Sequence, residues 1–528
     1  MTRPAMTPMI RPSHHWVLVL LILVLVSVAV PLIPTGPDVY VHLAWTHQVM
    51  RTVVHGELPV WMPDLNAGCG SPGIRLYSPA GPVISGIFAL VLGNAAAGVR
   101  LSLLLAFFVA GLVMRREGTG RPWLGLALLV TAPPVLADFA TRSAFSELLA
   151  IPAAWWLLER SVRAHATNRF PWRLTALVLA ALWLLHAPTT LMIVILLGTA
   201  AVYHRLRPLG QLAAAGTLAA LLTAWHWLPL GFEMHMMANR SALISGIFVA
   251  RANLLGSPRA HGPLLNTALS VASIALLLIV LVEGWQRTEP LRAALITLAI
   301  GLASPLAWPL YGSSSPLAWL QFPWRWLVPA FLLAIGPLVR RETAGGPRSW
   351  AVGALWVLPL LVLPLPPLVH APRLTVRDGW QSAGRKMMRA IGANPLYVDA
   401  TQNRPPWYPR LIVQLPQLHG ALAAATTPLT RIHVVTWKPL DRTLLVDGPQ
   451  PARVTIRLLD DPWWSVTLDR HVADTIRERG MLMVRVPPGH HTVRITWTGD
   501  PWSRVGLGLA LVGLLLFIIS RRSDHTGQ

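Results

Sequence analysis

The sequence predicts an α-helical polytopic membrane protein with a C-terminal extracytoplasmic β domain. The first observation behind this fold class is composition, because the 528 residues are 54% hydrophobic and only 12% charged, whereas soluble domains are roughly 25% charged. The second is a series of long apolar runs along the chain. The third is a late polar segment in which apolar residues alternate as they do in β-strands.

Apolar runs of membrane-spanning length recur about twelve times, since a span needs about 20 apolar residues, or a few less where neighbouring helices shield it. We expect the spans near residues 16–34, 97–114, 122–138, 144–158, 172–187, 189–203, 209–230, 263–283, 290–304, 323–339, 349–369 and 503–520. The apolar segment 81–93 is short, and we expect a re-entrant or interfacial helix there rather than a further span.

Arginine clusters indicate the orientation of these spans. They include Arg3 and Arg11 before the first span and Arg521 and Arg522 after the last, and every cluster falls on the same side. Short connections rich in Arg and Lys stay in the cytoplasm, so both termini are predicted to be cytoplasmic. The net charge of +22 follows from this topology and does not indicate nucleic acid as a partner. The first apolar run lacks a small-residue cleavage site and is expected to remain as a span.

The larger segments on the opposite side of the membrane are 35–96, 231–262, 305–322 and 370–502. The last has about 130 residues, enough for a small domain. Its second half contains "ARVTIRLL", "WWSVTLD", "MLMVRVP" and "HTVRITW", whose alternation predicts an antiparallel β domain with a hairpin at "PPGHH". The predicted units are a transmembrane domain, 1–369, a periplasmic β-rich domain, 370–502, and a final span with a cytoplasmic tail, 503–528.

The first outer segment begins with polar groups that are candidates for chemistry. Asp38 and His42 are four residues apart and would share one face of a helix where the first span leaves the membrane. A carboxylate at that depth is costly unless it has partners or a wet cavity. Asp38 could accept a proton from a substrate hydroxyl or help to hold a divalent cation, and His42 could share either task. The alternative is an interfacial helix whose polar face simply meets water.

The same segment continues as a loop rich in glycine and proline, "WMPDLNAGCGSPGIRLYSPAGP". Such a loop can make tight turns over a cleft, with Tyr77 lining it, or it can be an ordered but inert connection. It also contains the only cysteine of the chain, Cys69, so no intrachain disulfide is possible.

Two charged candidates stand in the short outer turn "ADFATRSAFSELLA". Glu147 begins the fourth span, where an acid interacts favourably with the helix dipole, so that a plain cap is one explanation. Arg142 lies on the side of the membrane that is otherwise poor in arginine. It could pair with Glu147 or bind an anion.

Four further candidates lie near the outer ends of spans. His186 in "LLHAPTT" is more typical of a structural histidine at a helix end, while Glu233 and His235 in "FEMHMM" could face the same cavity. Arg325 lies in "QFPWRWLVP", between tryptophans typical of a membrane interface. Arginine is the preferred planar ligand of phosphate, so Arg325 could hold a lipid phosphate, or it could be a snorkelling side chain.

Several common motifs are missing from the sequence. It has no Walker A sequence, no zinc signature of the Cys-Cys or HExxH type and no GxSxG elbow. Few charges lie at the centres of the predicted spans, which weakens the case for an ion-coupled transporter.

The order of the motifs resembles a known family. "DVYVH" after the first span, "GELPVWMPDLNAGCGSPGIRLYSP", "RSAFSELLA" and "FPWRW" resemble bacterial membrane proteins labelled 6-pyruvoyl-tetrahydropterin synthase-related, which in turn are similar to the GT-C superfamily of membrane glycosyltransferases. The ending "DPWWSVTLD…GMLMVRVPPGHHTVRITW" resembles the extracytoplasmic β domain of related bacterial proteins. The zinc-binding histidines of the soluble pterin enzyme have no evident counterpart, so that activity is not implied.

The GT-C resemblance implies transfer of a sugar from a polyprenyl phosphate or diphosphate carrier to a cell-envelope glycan or lipid, at the outer face of the bacterial inner membrane. Asp38 would be the base on the acceptor hydroxyl or a ligand of Mg²⁺ or Mn²⁺. Arg325 would bind the carrier phosphate, and Glu147 matches an acid of the family pattern. Many GT-C enzymes have two acids separated by one residue in the first loop, whereas here only Asp38 is present, with His42 four residues later, which leaves metal dependence and catalysis itself open.

Two rival interpretations use the same scaffold without chemistry. A lipid or glycan transporter would tolerate Asp38→Asn. A non-catalytic envelope assembly protein would depend on segment 370–502 to bind a partner. In all three interpretations membrane lipids are partners and nucleic acid is not.

Overall fold

The structure is a computed structural model with a helical N-terminal part, a C-terminal β domain and a final helix. It describes residues 15–34, 36, 38–117, 121–167, 171–205, 208–233, 249–256, 263–284, 289–312, 315–341, 356, 358–361, 368–370, 374, 418, 421–476 and 481–523. The predicted span 349–369 lies largely outside these residues. His235 and segment 375–417, an early part of the predicted β unit, lie entirely outside them.

The helical part follows the order of the predicted spans. Its helices are α1 (His15–Ala29), α2 (Val39–Val54), α3 (Leu65–Gly68), α4 (Ala80–Leu92), α5 (Ala95–Arg116), α6 (Pro122–Thr131), α7 (Pro133–Leu136), α8 (Phe145–Thr167), α9 (Trp172–Leu185), α10 (Ala187–Tyr203), α11 (Leu209–Leu222), α12 (Ala224–Glu233), α13 (Pro263–Gly284), α14 (Pro290–Ala303) and α15 (Leu327–Arg341). Short 3₁₀ or π turns lie at Gly73–Leu76, Ala137–Arg142, Ala250–Asn253, Pro305–Tyr311, Pro316–Leu320, Pro323–Trp326 and Leu358–Leu361. Each predicted span within the described residues contains a helix or a pair of helices, but the first one, 16–34, is helical only to Ala29 and ends in a strand at Leu32–Pro34.

Few of these helices are long enough to cross a bilayer alone. Within the described residues, α5 and the final helix are both long and apolar enough, and two bent pairs raise the number to four. The pairs are α6 with Pro133–Arg142, bent by 57°, and α14 with Pro305–Tyr311, bent by 72°. Two to four candidates therefore stand where about twelve spans are predicted.

Prolines explain part of this difference. The backbone is extended at Ala132, because a proline such as Pro133 disfavours helical backbone at the residue before it. Ser304 before Pro305 is extended for the same reason at the end of α14. Continuous apolar sequence is thereby cut into short pieces, and several apolar helices have only 10–17 residues.

The helical core packs around α8, whose residues Ala150, Trp155 and Leu157 are buried. Two ion pairs neutralise Glu159 in the C-terminal half of this helix. Arg292 Nη1 lies 2.9 Å from Glu159 Oε2, and Arg163 Nη2 lies 2.8 Å from Glu159 Oε1. The buried carboxylate is thus paired, as burial of a charge requires.

The first outer segment, residues 35–96, is called loop one below, and it folds back onto the helical core. It begins after strand β1 (Leu32–Pro34), which pairs with β2 (Leu368–His370) in a two-stranded antiparallel sheet. Helix α4 lies where an apolar helix is predicted at 81–93, and it packs against α2. The two helices touch at Gly86, where an added Cβ would lie 2.4 Å from Val49 Cγ1. A smaller residue than alanine is therefore required there.

The β domain is formed by two antiparallel sheets in the part of the chain that the structure describes. Its strands are β3 (Ala423–Ala425), β4 (Arg431–Trp437), β5 (Asp441–Gly448), β6 (Ala452–Leu459), β7 (Trp464–Leu468), β8 (His471–Val472), β9 (Thr475–Ile476), β10 (Met481–Val486) and β11 (Gly489–Trp497). One sheet has the order β3-β6-β10-β9 and the other the order β4-β5-β11-β7-β8. Apolar side chains of both sheets, among them Leu444, Val454 and Val493, share one buried core. The strands predicted at β6, β7, β10 and β11 are confirmed.

The hairpin predicted at "PPGHH" is wrong. Strand β10 pairs with β6 and β9, whereas β11 pairs with β5 and β7, so this turn carries the chain from one sheet to the other. Alternation identifies a strand with one buried face, but both sheets of a sandwich bury one face. The pattern therefore does not reveal the partner of a strand.

Loop one and the β domain share a buried interface. The Trp61 ring centroid lies 5.1 Å from that of Trp464 and 5.5 Å from that of Trp497. The Leu459 N–H donates to the carbonyl oxygen of Cys69 at 2.7 Å. Burial in this interface raises the pKa of the Cys69 thiol to about 12.

The final helix, α16 (Pro501–Ser523), packs against α11 and α12. A Cβ added at Gly506 would lie 2.3 Å from the carbonyl oxygen of Ala224, so the backbones of α16 and α12 are in close contact. Phe232 stacks on Trp502 with ring centroids 3.7 Å apart. The β domain is therefore held to the helical part by loop one on one side and by α16 on the other.

Candidate functional site

Charged side chains from separate elements meet inside the helical part. The charged cluster consists of Asp38, Asp138, Arg142, Glu147 and Arg325. Asp38 directly precedes α2, and Asp138 and Arg142 lie on the turn Ala137–Arg142. Glu147 is in the first turn of α8, and Arg325 is on the turn Pro323–Trp326. Four of these five residues were singled out from the sequence as site residues.

Arg142 is at the centre of the cluster. Its Nη2 lies 3.1 Å from Asp38 Oδ2, and its Nη1 lies 3.1 Å from Asp138 Oδ1 and 3.3 Å from Glu147 Oε2. One planar guanidinium group thus serves three carboxylates, which suits its fixed fork of N–H donors.

Arg325 joins the cluster through Glu147. Its Nε lies 3.0 Å from Glu147 Oε2, and its Nη1 donates to the Leu320 carbonyl oxygen at 3.0 Å. The Phe322 ring lies against both guanidinium groups, with its centroid 4.5 Å from Arg142 Cζ and 5.0 Å from Arg325 Cζ. Arg325 is 4% exposed, so the alternative of a snorkelling side chain is wrong.

Local backbone geometry explains why Asp38 and Arg142 meet. The Asp38 N–H donates to the Arg142 carbonyl oxygen at 3.0 Å. The next residue, Ser143, has a left-handed backbone with φ of 59°, which turns the chain into α8. Gly36 allows this approach, because an added Cβ would lie 2.4 Å from the carbonyl carbon of Arg142.

Asp38 is the member of the cluster that solvent reaches. Its side chain is 27% exposed, against 7% for Arg142 and 0% for Asp138. Within the described residues, its Oδ2 contacts Arg142 and no contact engages its Oδ1. A ligand that approaches the cluster would therefore meet Asp38 first.

His42 and Tyr77 flank the cluster on the side of loop one. The His42 ring lies 5.3 Å from Phe145 and 6.2 Å from Trp45, and Trp45 lies 4.9 Å from Tyr77. Burial lowers the pKa of His42 to about 4, although nearby Asp38 opposes this effect. Burial raises the pKa of Tyr77 to about 12. Both groups are therefore neutral near pH 7.

Hydrogen bonds fix the chain around Tyr77. Its carbonyl oxygen is 2.8 Å from His226 Nε2, and the next side chain, Ser78, donates to the Trp183 carbonyl oxygen at 3.1 Å. His186 is at the start of α10, with its Nδ1 2.7 Å from Thr189 Oγ1. It occupies the N-cap position of α10 without a side-chain capping hydrogen bond, and the charges of Arg142 and Arg325 act on it, so it belongs to the surroundings of the cluster.

The carboxylates of the cluster do not fit a divalent cation. Asp38, Asp138 and Glu147 all point to the Arg142 guanidinium group, which stands where a metal ion would have to be. Among the described residues, no group of three or more His, Cys, Asp or Glu side chains has the arrangement of a metal site.

Glu233 is not part of the charged cluster. Its Oε1 lies 2.9 Å from Arg75 Nη1 and accepts a hydrogen bond from Trp463 Nε1 at 3.0 Å. This places Glu233 at a second ionic site, between loop one and the β domain. The expectation that it faces the same cavity as the other candidates is not met.

Two residues of these ionic sites, Asp138 and Arg75, are not among the site residues predicted from the sequence. Asp138 is fully buried and pairs with Arg142 four residues later, and this spacing on one helical face was a readable signal. Arg75 is an arginine within segment 35–96, which is predicted to lie outside the cytoplasm. That exception to the positive-inside pattern was its signal.

Comparisons with known proteins do not assign a family. No protein-family model matches the chain, and no match was found among curated proteins or solved structures. The resemblance based on the first-loop and "FPWRW" motifs therefore stays an expectation.

Proposed function

We propose that the protein is a membrane glycosyltransferase that moves a sugar from a polyprenyl-phosphate carrier to a cell-envelope glycan or lipid. The observation that supports this proposal is the pairing of Asp38 with Arg142. It combines a solvent-accessible carboxylate with two buried guanidinium groups, Arg142 and Arg325, that can hold a phosphate.

The transfer step uses these groups in sequence. The carrier phosphate binds Arg142 and Arg325, and it displaces Asp38 from Arg142. The acceptor oxygen then forms a bond to the anomeric carbon while the bond from that carbon to the phosphate oxygen breaks. The acceptor proton passes to Asp38, and the phosphate leaves with the electron pair of the broken bond. Asp38 later returns its proton to water.

The neutral groups around the cluster suit donor and acceptor positioning. His42 and Tyr77 are close to Asp38 without being charged near pH 7, so they can hydrogen-bond sugar hydroxyls without competing for the phosphate. Glu147 holds Arg325 in place, and Asp138 holds Arg142.

The same proposal includes the membrane topology. The protein has about twelve spans, some of them short or broken, in the bacterial inner membrane. Both termini are cytoplasmic, and the charged cluster and the β domain face the periplasm. Support comes from the arginine clusters between the apolar runs and from the agreement of these runs with helices.

A non-catalytic assembly protein is the second candidate. The observation in its favour is that three carboxylates already compensate the two guanidinium groups, which is also how a purely structural network is built. In that case the cluster holds α2, α8 and the turn Pro323–Trp326 together, and the β domain binds an envelope partner.

Binding of polyprenyl monophosphate to the purified full-length chain separates these candidates, and native mass spectrometry can measure it. The transferase proposal predicts that Arg325→Gln weakens binding at least about tenfold, since one charge-assisted phosphate contact is lost. It predicts that Asp38→Asn strengthens binding, because the carboxylate that competes for Arg142 is removed. A misfolded variant would not bind more tightly.

Arg51→Gln is the matched control. Like Arg325, Arg51 is an ion-paired arginine, but it lies in loop one and its partner is Asp64 of the same loop, so carrier binding should be unchanged. Equal binding by wild type, Arg325→Gln and Asp38→Asn would contradict the phosphate site and favour the assembly protein.

A further inference from the structure

Arg75 joins three distant parts of the chain. Its Nη1 lies 2.9 Å from Glu233 at the end of α12 and 3.4 Å from Asp500 before α16, and its Nη2 lies 3.2 Å from Asp461 between β6 and β7. The Trp497 ring centroid is 5.2 Å from Arg75 Cζ. These residues, without Trp497, are called the Arg75 junction below.

The Arg75 junction is buried and has an excess of negative charge. Arg75 is 8% exposed and Glu233 is 1% exposed, and three carboxylates face one guanidinium group. Asp500 also accepts hydrogen bonds from the Ser503 N–H and Oγ at the start of α16. Loss of Arg75 would leave three acids facing one another, so the junction should separate rather than relax in place.

A short stretch of loop one and a few side-chain contacts connect this junction to the charged cluster. Arg75 and Tyr77 are two residues apart on loop one. Helix α12 holds both of them, because it carries His226, whose Nε2 is 2.8 Å from the Tyr77 carbonyl oxygen, and Glu233, which pairs with Arg75. Tyr77 in turn contacts Trp45, which contacts His42.

We propose that Arg75 is a positioning residue that makes the charged cluster depend on the β domain. While the Arg75 junction is closed, loop one is held between the β domain and α12, and Tyr77 is fixed beside the cluster. When the β domain moves away, loop one is released and the site is disassembled. The link between junction and catalysis rests on the proposed transferase function, but the coupling of loop one to the β domain does not.

The single cysteine of the chain is a reporter for this coupling. Cys69 lies in loop one and is fully buried against the β domain, so a maleimide can reach it only when loop one and the β domain separate. In the purified full-length chain, Arg75→Gln should raise the rate of Cys69 labelling at least about tenfold over wild type. Arg75→Lys keeps the charge without the planar fork and should give an intermediate rate.

Two controls separate release of loop one from general loss of structure. Arg51→Gln removes an ion pair that stays within loop one, and it should leave the labelling rate near that of wild type. In a Cys69→Ser background, Ala110→Cys places the thiol at a buried position of α5. Its labelling should not respond to Arg75→Gln.

Ligand coupling provides a readout that a purely structural contact would not change. Polyprenyl monophosphate should slow Cys69 labelling in wild type, because a ligand of the assembled site favours the closed junction. It should have no such effect in Arg75→Gln.

Unchanged Cys69 labelling in Arg75→Gln would overturn the proposal, as would an equal rise at Ala110→Cys. If the carrier does not bind at all while Arg75→Gln still exposes Cys69, the proposed function fails and the coupling of loop one to the β domain stands. If the carrier binds and labelling is the same in its presence and absence, the link from the junction to the site is contradicted.

Discussion

Asp38 and Arg142 are 104 residues apart in the sequence and are joined twice. The side chains form an ion pair of 3.1 Å, and the Asp38 N–H donates to the Arg142 carbonyl oxygen. The backbone contact keeps the two residues together when the ion pair opens. Asp38 can therefore release Arg142 and accept a proton or pair with another charge without leaving the site, as its proposed role of a base beside a phosphate site requires.

The ion pair of Arg325 with Glu147 should be important for stability. Both side chains are at most 5% exposed, so Glu147→Gln leaves a buried arginine with less compensation and should cost about 3–5 kcal/mol. Glu289→Gln is the control, since the Glu289 side chain is 45% exposed in its pair with Arg292, and should cost about 0–1 kcal/mol. Thermal unfolding in detergent measures both. A loss of stability in Glu147→Gln that is no larger than the loss in Glu289→Gln would show that Glu147 does not compensate Arg325.

Gly70 should be required for loop one to pack on the β domain. Its φ is +82°, and an added Cβ would lie 2.2 Å from Trp61 Nε1. Gly56 has a similar φ of +70° but nothing within 4 Å of an added Cβ. Gly56→Ala should therefore show only backbone strain, about 1–2 kcal/mol, whereas Gly70→Ala should also expose Cys69 to labelling. Similar labelling in the two variants would show that Trp61 adapts and that the close contact is not required.

The Arg75 junction should open more readily as pH rises towards 7. Burial raises the pKa of Glu233 to about 7 from an ordinary 4.5, and Asp500 and Asp461 add to this rise while Arg75 opposes it. Below pH 4.5 the carboxyl is protonated whether the junction is open or closed. Between pH 4.5 and 7 the Glu233 carboxyl loses its proton in the open state but keeps it in the closed state. The stability of the closed state relative to the open state therefore falls over this pH range and is constant above it.

The rate of Cys69 labelling in the folded protein, divided by the labelling rate of the denatured chain at the same pH, measures this effect. The ratio should increase from pH 4.5 to 7 in wild type. In Glu233→Gln it should be flat, because the amide keeps hydrogen-bonding capacity towards Arg75 and Trp463 without titrating. A wild-type ratio that is independent of pH would show that Glu233 does not control the junction.

Local patterns in the sequence predict much of the helical part but not its breaks. Most apolar runs correspond to helices, because a long apolar run can be recognised without knowing its packing partners, but the first run, 16–34, ends in the strand Leu32–Pro34. The bends at Pro133 and Pro305 follow from a local rule on prolines, yet length alone suggested straight spans. In the β domain, alternation predicts β6 and β11 but not that β10 and β11 belong to different sheets.

The candidate site shows the same limit. Asp38, Arg142, Glu147 and Arg325 are recognisable because charges next to apolar runs are costly and need a reason. Their mutual pairing depends on how α2, α8 and the turn Pro323–Trp326 pack, which no local pattern encodes. Glu233 looks equally promising in the sequence, and only the fold assigns it to Arg75.

If Asp38 is the base of a transfer reaction, the envelope of cells that carry only Asp38→Asn should lack the product of that reaction. Mass spectrometry of envelope glycans and lipids would compare wild type, a deletion, Asp38→Asn and Asp64→Asn, with the amount of each protein in the membrane measured. Asp64 is an ion-paired acid of the same loop outside the cluster. We expect one sugar-containing product to be missing from both the deletion and Asp38→Asn and to be present with Asp64→Asn. A normal product profile with Asp38→Asn in the membrane would contradict it.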